Sequence, residues 1–474
     1  MSSDCAQIAI NGILWALKTA IEQLGKLHGR LGDFWWYSLM LFIACRAADL
    51  LNAFVGLWLV PKYVPPSELG AVLPLLNYAS FLSLPIAVFS GAFRNEISGL
   101  AIRSEYGRLK TLMKGVFIAS AAFIVLAITV SHFALPHFLT RIRIVEGSLG
   151  LLILFTSFVG ALAPVYSNTL QALKKFRETS LINFLSAPIR LVTMLLTMPF
   201  RPIAGYFVGQ AATPLFTGIA AVFSLPRELS VPAEPYWSRE VVRRFGRLLA
   251  LFAVSGASGS FAALVETTVL RQRLPEIDSA AYYMVTRFSD NASYLYSALV
   301  FALFPFSAEL AARGKDLRPL LLKASAATTA FCAAAALLFT FIGRSLLEIL
   351  PHGSAYAAYW WAIPWIIGIN AINYIISFYA TGEIAANRFG YMKFLVPLTL
   401  LYPAALLAVT GRGYFAGILP EWAMNALSAL NVTTLNGMLW WMTAVSALKL
   451  AGVALHACRK SAMPADKHSS AENL

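Results

Sequence analysis

The sequence predicts an all-α polytopic membrane protein: about twelve transmembrane helices in two pseudo-symmetric six-helix lobes. Three observations carry that prediction. The 474 residues are 58% hydrophobic and only 13% charged, with a mean hydropathy of +0.68, whereas a soluble chain of this size needs roughly 25% charged residues. Apolar runs recur at the length of about 20 residues that a membrane span requires. The third observation is repetition. Leu170–Asn183, LQALKKFRETSLIN, is echoed about 213 residues later by Glu383–Val396, EIAANRFGYMKFLV. In both, a hydrophobic helix ends, the chain passes Lys175-Phe176 or Arg388-Phe389, and a new hydrophobic helix begins. Gly107–Lys114, GRLKTLMK, resembles Lys315–Lys323, KDLRPLLLK, at nearly the same offset, each after a Pro-marked helix (Pro85, Pro305). Two echoes at one spacing read as a duplicated bundle, an architecture that in membranes usually places a site between the halves.

The elements follow in order. Residues 1–33 lack the short apolar core and small-residue cleavage site of a signal peptide. Instead Ile10, Ile13, Leu14, Leu17, Ile21, Leu24 and Leu31 recur at helical spacing with Lys18, Glu22, Gln23, Lys26 and Arg30 between them. This is an amphipathic arm, lying at the lipid surface or packed along the bundle. Spans are expected at 34–60, 71–93, 115–137, 149–172, 181–200 and 203–225, forming a first lobe over 34–225. Residues 226–243, PRELSVPAEPYWSREVVR, are the most Pro-rich and charged internal stretch and read as a cytoplasmic linker. A second lobe over 244–456 takes spans at 244–269, 282–307, 319–343, 356–382, 389–411 and 434–456, and 457–474 form a tail. Segment 419–433 is too polar for a thirteenth span and reads as interfacial, with Trp422 at headgroup depth.

Charge orients this bundle. The net charge of +14 could point to nucleic acid, but the basic residues are dispersed among short loops. About 25 Lys and Arg fall on the side of the linker and both termini, among them Lys174, Lys175, Arg227 and Arg388. About 8 fall on the other: Lys62, Arg141, Arg143, Arg201, Arg271, Arg273, Arg344 and Arg412. Basic loops stay inside, so both termini are expected in the cytoplasm of a bacterial cell, with the chain in its inner membrane and no nucleic-acid partner. Cys5, Cys45, Cys332 and Cys458 show no metal or redox spacing and read as small apolar fillers. The Asn-x-Ser/Thr triplets at Asn291 and Asn431 read as chance matches.

Enzyme signatures are absent. No G-x-x-x-x-G-K-[ST] loop and no G-x-S-x-G elbow occur, the six histidines are scattered, and the loops leave no room for a soluble catalytic domain. The expectation is a non-enzyme without cofactor or metal.

Chemistry is sought among ionisable and polar groups inside spans, because such groups are costly in lipid and generally face a cavity or a partner. The first span holds Arg46 and Asp49, three residues apart; the fifth holds Arg190, just after Pro188. In the seventh, Ser255, Gly259, Ala262 and Glu266 form a small and polar stripe. The eighth has Arg287 one turn before Asp290 and Asn291, and the tenth has Asn370 and Asn373. Arg46–Asp49 and Arg287–Asp290 read either as local ion pairs fixing helix packing or as parts of a hydrated cationic chamber. In the chamber reading Arg46, Arg190 and Arg287 grip a phosphate or pyrophosphate headgroup, since a planar guanidinium binds phosphate oxygens in pairs while staying charged. Glu266 is then the candidate titrating carboxylate, with a pairing to Arg271 as its structural alternative. Pro85, Pro188, Pro305, Pro364, Pro397 and Pro403 bend spans, as hinges or simply as packing. Trp35-Trp36, Trp360-Trp361 and Trp440-Trp441 fall at or near span ends, as interface belts do.

Several segments, in order, resemble bacterial polysaccharide flippases of the Wzx type, within the multidrug/oligosaccharidyl-lipid/polysaccharide exporter superfamily. The run LVPKYVPPSELGAVLPLLNYASFLSL, with Glu68-Leu69-Gly70, resembles the family's opening; FRNEISGLAIRSEYGRLKTL resembles its first cytoplasmic loop. NTLQALKKFRETSLINFLSAPIRLV looks like the fourth-span exit and LFPFSAELAARG (Leu303–Gly314) like the eighth-span ending, so the likeness covers 34 to about 410. It implies a carrier that moves undecaprenyl-(pyro)phosphate-linked oligosaccharide from the inner to the outer leaflet by alternating access, for O-antigen, capsule or exopolysaccharide synthesis. Implied partners are the lipid-linked oligosaccharide, membrane lipids, and polysaccharide polymerase and export proteins. A drug or cation antiporter of the same superfamily is the competing reading and would favour an acid-lined, aromatic cavity. A non-transporting scaffold of a polysaccharide assembly complex is another.

Overall fold

The computed structural model describes residues 46–144, 147–173, 175–226, 229, 231–290, 303, 307, 310, 316–385, 389–410 and 434–461. The arm at 1–33 and the segment at 419–433 lie outside the described residues, as do Lys174, Asn291, Pro305 and Arg388. Among the described residues there are twelve long helices and no strands. They are α1 (residues 46–63), α2 (Val72–Ile102), α3 (Tyr106–Arg141), α4 (Gly147–Ala172), α5 (Phe176–Thr197) and α6 (Pro202–Phe223), then α7 (Arg239–Arg273), α8 (residues 276–290), α9 (Arg318–Ile349), α10 (Ala362–Ala385), α11 (Met392–Thr410) and α12 (Leu435–Ser461). Seven of these, α3 to α6, α9, α10 and α12, contain stretches long and apolar enough to cross a membrane. Phe133, Leu196 and Phe341 stand exposed on α3, α5 and α9, as lipid-facing side chains do.

Each expected span overlaps one of these helices, and among the described residues the differences lie at the ends. Helix α3 extends well beyond 115–137 because the polar turn GRLKTLMK continues it, its side chains being covered by another part of the chain. Helix α7 starts at Arg239, inside the expected linker, where the Ser238 hydroxyl accepts the N–H of Val241 and caps it. Helix α10 starts at Ala362 rather than at 356. His352 sits in the left-handed region (φ 56°), and two short helical turns, Gly353–Tyr356 and Ala357–Tyr359, fill the gap.

The duplication is visible in which helices touch. In the first lobe α2 packs on α3 and α4, α3 on α4, and α6 on both α4 and α5. Adding six to each number gives the second lobe. There α9 packs on α10, α12 on α10 and α11, and α8 meets α10 through Asn370 Nδ2 donating to Ser289 Oγ at 2.7 Å. Helix α8 meets α9 through Phe288 and Phe339, ring centroids 5.7 Å apart. The contact between lobes obeys the same rule: α2 packs along α7, and its counterpart is α8 against α1, where Tyr283 Oη donates to Gly56 O at 3.3 Å. The loops between these helices also match in sequence, Val64–Ala71 (VPPSELGA) beside Leu274–Ala281 (LPEIDSAA). A pseudo-two-fold axis therefore passes between the α1/α2 and α7/α8 pairs.

The two ends of the bundle differ. At the end bearing the α1–α2, α3–α4 and α7–α8 loops, one continuous apolar core includes Leu69, Ile142, Met198, Leu274, Tyr283 and Ile363, and so joins both lobes. At the other end the chain between α6 and α7 is strapped across the α2–α3 hairpin. Lys110 Nζ donates to Val231 O (2.9 Å), Thr111 Oγ1 to Glu234 O (2.6 Å), and Tyr236 Oη to Glu96 Oε2 (2.8 Å). Leu229 and Phe245 close a smaller core there with Phe93, Ile97 and Leu112.

Candidate functional site

Helix α1 carries Arg46, Asp49, Asn52, Ala53 and Gly56 at spacings of three and four, so they share one face. Its middle turn, Val55–Leu59, is wound as a π-helix, a single-turn widening that recurs at functional sites. Gly56 lies in that turn and lets α8 approach. A Cβ there would stand 3.3 Å from Arg287 Cδ and 3.7 Å from Cγ, so the arginine stem rests against bare backbone. The guanidinium is fixed from two sides: Arg287 Cζ lies 5.0 Å from the Tyr283 ring centroid, and Nη1 is 3.2 Å from Asp290 Oδ2. Its Nε is buried with no hydrogen-bond partner among the described residues.

These groups line a cavity of about 170 Å³ between α1, α5, α6 and α8, to which α5 adds Arg190 and α6 adds Tyr206 and Gln210. Two guanidiniums and one carboxylate leave it net cationic. Of the residues singled out in the sequence, Arg190, Arg287 and Asp290 meet here. Arg46 and Asp49 pair with each other (Nη2 to Oδ2, 3.1 Å) on the cavity face of α1, about 15 and 10 Å along the helix from Gly56 at 1.5 Å rise per residue.

Glu266 and Asn373 line a different cavity, of about 240 Å³, between α7, α10, α11 and α12, together with Thr399, Tyr402, Ser446 and Lys449. Glu266 does not pair with Arg271: its Oε1 accepts from Tyr282 Oη at 2.7 Å, while Arg271 donates to backbone carbonyls of the first lobe. Asn370, one turn before Asn373 on α10, is bonded to Ser289 of α8. Asn291 lies outside the described residues. Helices α1, α5 and α6 of the first cavity correspond by the six-helix shift to α7, α11 and α12 of the second. The two cavities are thus pseudo-equivalent sites whose side chains have diverged.

Sequence reasoning passed over Gln210 and Tyr206 on α6 and Lys449 on α12. Lys449 had a signal: it is the one Lys or Arg within 434–456. Tyr206 had none, since a tyrosine in an apolar helix reads as packing. No cluster of three His, Cys, Asp or Glu able to hold a metal occurs among the described residues.

No protein-family model matches the chain, and no curated protein does. Solved structures do. A multidrug-resistance MATE family transporter of the MOP superfamily in its inward-facing conformation is similar with a TM-score of 0.62 at 12% identity, over 88% of this chain and 96% of that one. An outward-facing MATE family transporter is similar with a TM-score of 0.60 at 15% identity, over 91% and 97% of the two chains. A MOP superfamily transporter from Pyrococcus furiosus, described by a reverse polarity of its binding pocket, gives 0.59 at 15% identity over the same shares. Over those shares the chain has the fold of these transporters.

Proposed function

We propose that the protein is a lipid-linked oligosaccharide flippase of the bacterial inner membrane. It carries undecaprenyl-(pyro)phosphate-linked units from the cytoplasmic to the outer leaflet by alternating access of its two lobes. The observation that carries this reading is the convergence of Arg190 and Arg287 on one small cavity against a single carboxylate, Asp290. Arginine near mid-membrane costs roughly 2.5–3.5 kcal/mol per residue on insertion scales. Two of them around one cavity select an anion, and the guanidinium forks fit phosphate oxygens. Drug-sized ligands occupy roughly 300–1,000 Å³. A cavity of about 170 Å³ takes a headgroup, with sugars and lipid tail lying outside it. In the Pyrococcus furiosus transporter, a binding pocket of reverse polarity suggests a different function, and pocket charge is likewise what guides the cargo assignment here. The loop-charge asymmetry supports a cytoplasmic position for both termini and for the α6–α7 strap. Polysaccharide polymerase and export proteins are the partners this role entails.

The second cavity favours one other reading. Glu266 and Tyr402 give its lining the acidic and aromatic groups that a cation or drug antiporter uses, with Lys449 beside them. The two readings separate in cells lacking the native copy. Arg190→Ala and Arg287→Ala are expected to abolish polysaccharide export with membrane abundance unchanged by immunoblot. Wild-type export in both overturns the flippase reading, and ion-driven efflux of a cationic dye by the same variants establishes the antiporter.

A further inference from the structure

We propose that Arg271 is a latch that holds the lobes shut at the end bearing the α1–α2 and α7–α8 loops, and that its release opens the cationic cavity to that side of the membrane. The proposal rests on the alternating-access reading above, but on no assumption about cargo.

Arg271 sits in the last turn of α7 and is 1% exposed, the largest of the fully buried side chains among the described residues. A basic residue at a helix C-terminus ordinarily serves its own helix's last carbonyls. Arg271 instead crosses to the first lobe. Its Nε donates to Ile142 O in the α3–α4 loop at 3.2 Å, and its Nη2 to Ser67 O in the α1–α2 loop at 2.7 Å. Arg143 makes the reciprocal crossing. Held at φ 62°, it donates from Nη2 to Gln272 O at 3.2 Å and brings Nη1 to 3.9 Å from Glu276 Oε1. Between them the lobes touch backbone to side chain, since a Cβ on Gly70 would fall 2.2 Å from Ser279 Oγ.

The chemistry of the latch makes it reversible. The partners of Arg271 are neutral carbonyls, and its Nη1 is buried with no partner among the described residues. A buried cation without a hydrogen-bonded carboxylate is incompletely compensated for lost hydration. Separating the loops breaks these two hydrogen bonds, together with those from Arg143 to Gln272 O and from Ser279 Oγ to Gly70 O, but returns the guanidinium to water. A gate requires an element with two states, and hydration of the guanidinium in the open state offsets part of what the closed contacts contribute.

The test uses full-length protein with Cys5, Cys45, Cys332 and Cys458 replaced by serine and one reporter cysteine, Ser279→Cys at the latch or Gln210→Cys in the cavity. A membrane-impermeant maleimide is applied to intact cells and to inverted vesicles. With Arg271 in place, Ser279→Cys is expected to react slowly from both sides, since position 279 is 3% exposed. In Arg271→Gln both reporters are expected to react about tenfold faster from one side only, within the roughly 5- to 150-fold range of conformational coupling. Arg143→Ala, at a half-exposed position, is expected to give a smaller rise in both and serves where Arg271→Gln fails to accumulate. Unchanged rates overturn the proposal. So does a rise at Ser279→Cys without one at Gln210→Cys, which marks local loosening. Cargo plays no part in the readout, so loss of the flippase assignment leaves this result standing.

Discussion

Arg287 occupies the space that a side chain on Gly56 would fill, its Cδ 3.3 Å from where that Cβ would stand. The site's charge is therefore positioned by an absence on the opposite lobe. Gly56→Ala gains helix propensity, worth up to about 1 kcal/mol, while pushing the arginine stem aside by a few tenths of an ångström. Gly56→Leu displaces it altogether. The expected outcome is a normal or slightly raised melting temperature in detergent for alanine, a lowered one for leucine from overpacking, and transport that falls for alanine and is lost for leucine. Transport that survives leucine means that Arg287 is not held against α1 during the cycle.

Asp290 tempers the same site. Its carboxylate, 3.2 Å from Arg287 Nη1, offsets one of two guanidinium charges. Asp290→Asn keeps the shape and removes that charge. Inorganic pyrophosphate is then expected to bind the purified protein roughly tenfold more tightly, about 1.4 kcal/mol, by calorimetry at fixed ionic strength. Turnover is expected to fall, because a headgroup held harder is released more slowly. Unchanged pyrophosphate affinity removes Asp290 from the site.

These two residues show what the sequence makes legible. Arg190, Arg287 and Asp290 stand out because ionisable groups are rare in lipid, and the loop charges and apolar lengths locate twelve helices to within several residues. Helix rotation is not written in one dimension. Glu266 and Asn373 carry the same polar signal yet open into a second cavity, because α7 and α10 turn that face toward α11 and α12. The π-turn at Val55–Leu59 leaves no compositional trace. Arg271 read as a loop charge that sets topology, since its burial depends on carbonyls about 130 and 200 residues away.

The glycine that opens GRLKTLMK has a physical reason of its own. A Cβ on Gly107 would come within 2.7 Å of Glu234 Cγ and 2.9 Å of Pro232 O, and one on Gly115 within 2.6 Å of the Trp237 ring. Gly107→Val and Gly115→Val are each expected to lift the strap from the α2–α3 hairpin at a cost of about 1–3 kcal/mol, the usual range for overpacking. Limited proteolysis checks this: cleavage between residues 226 and 238 should accelerate, with the helices left intact. A strap that remains resistant in both variants is not held by this contact.

Glu266 and Lys449 line the second cavity, from α7 and α12. Glu266→Gln keeps an acceptor for Tyr282 Oη, which lies 2.7 Å away, but leaves Lys449 without the opposing charge. Lys449→Met does the converse. Removing one member of a buried pair typically costs about 3–5 kcal/mol, while replacing both is often neutral. The two line one cavity of about 240 Å³ without a direct ion pair, so the loss is expected to fall below that range. Each single variant is therefore expected to lower the melting temperature, and the double variant Glu266→Gln/Lys449→Met to recover most of the loss. The interaction energy from that cycle should exceed the roughly 0.3–0.5 kcal/mol within which independent sites add. Additive losses would mean that the two charges are held by separate surroundings, and the second cavity would then be a packing defect rather than a charge-paired site.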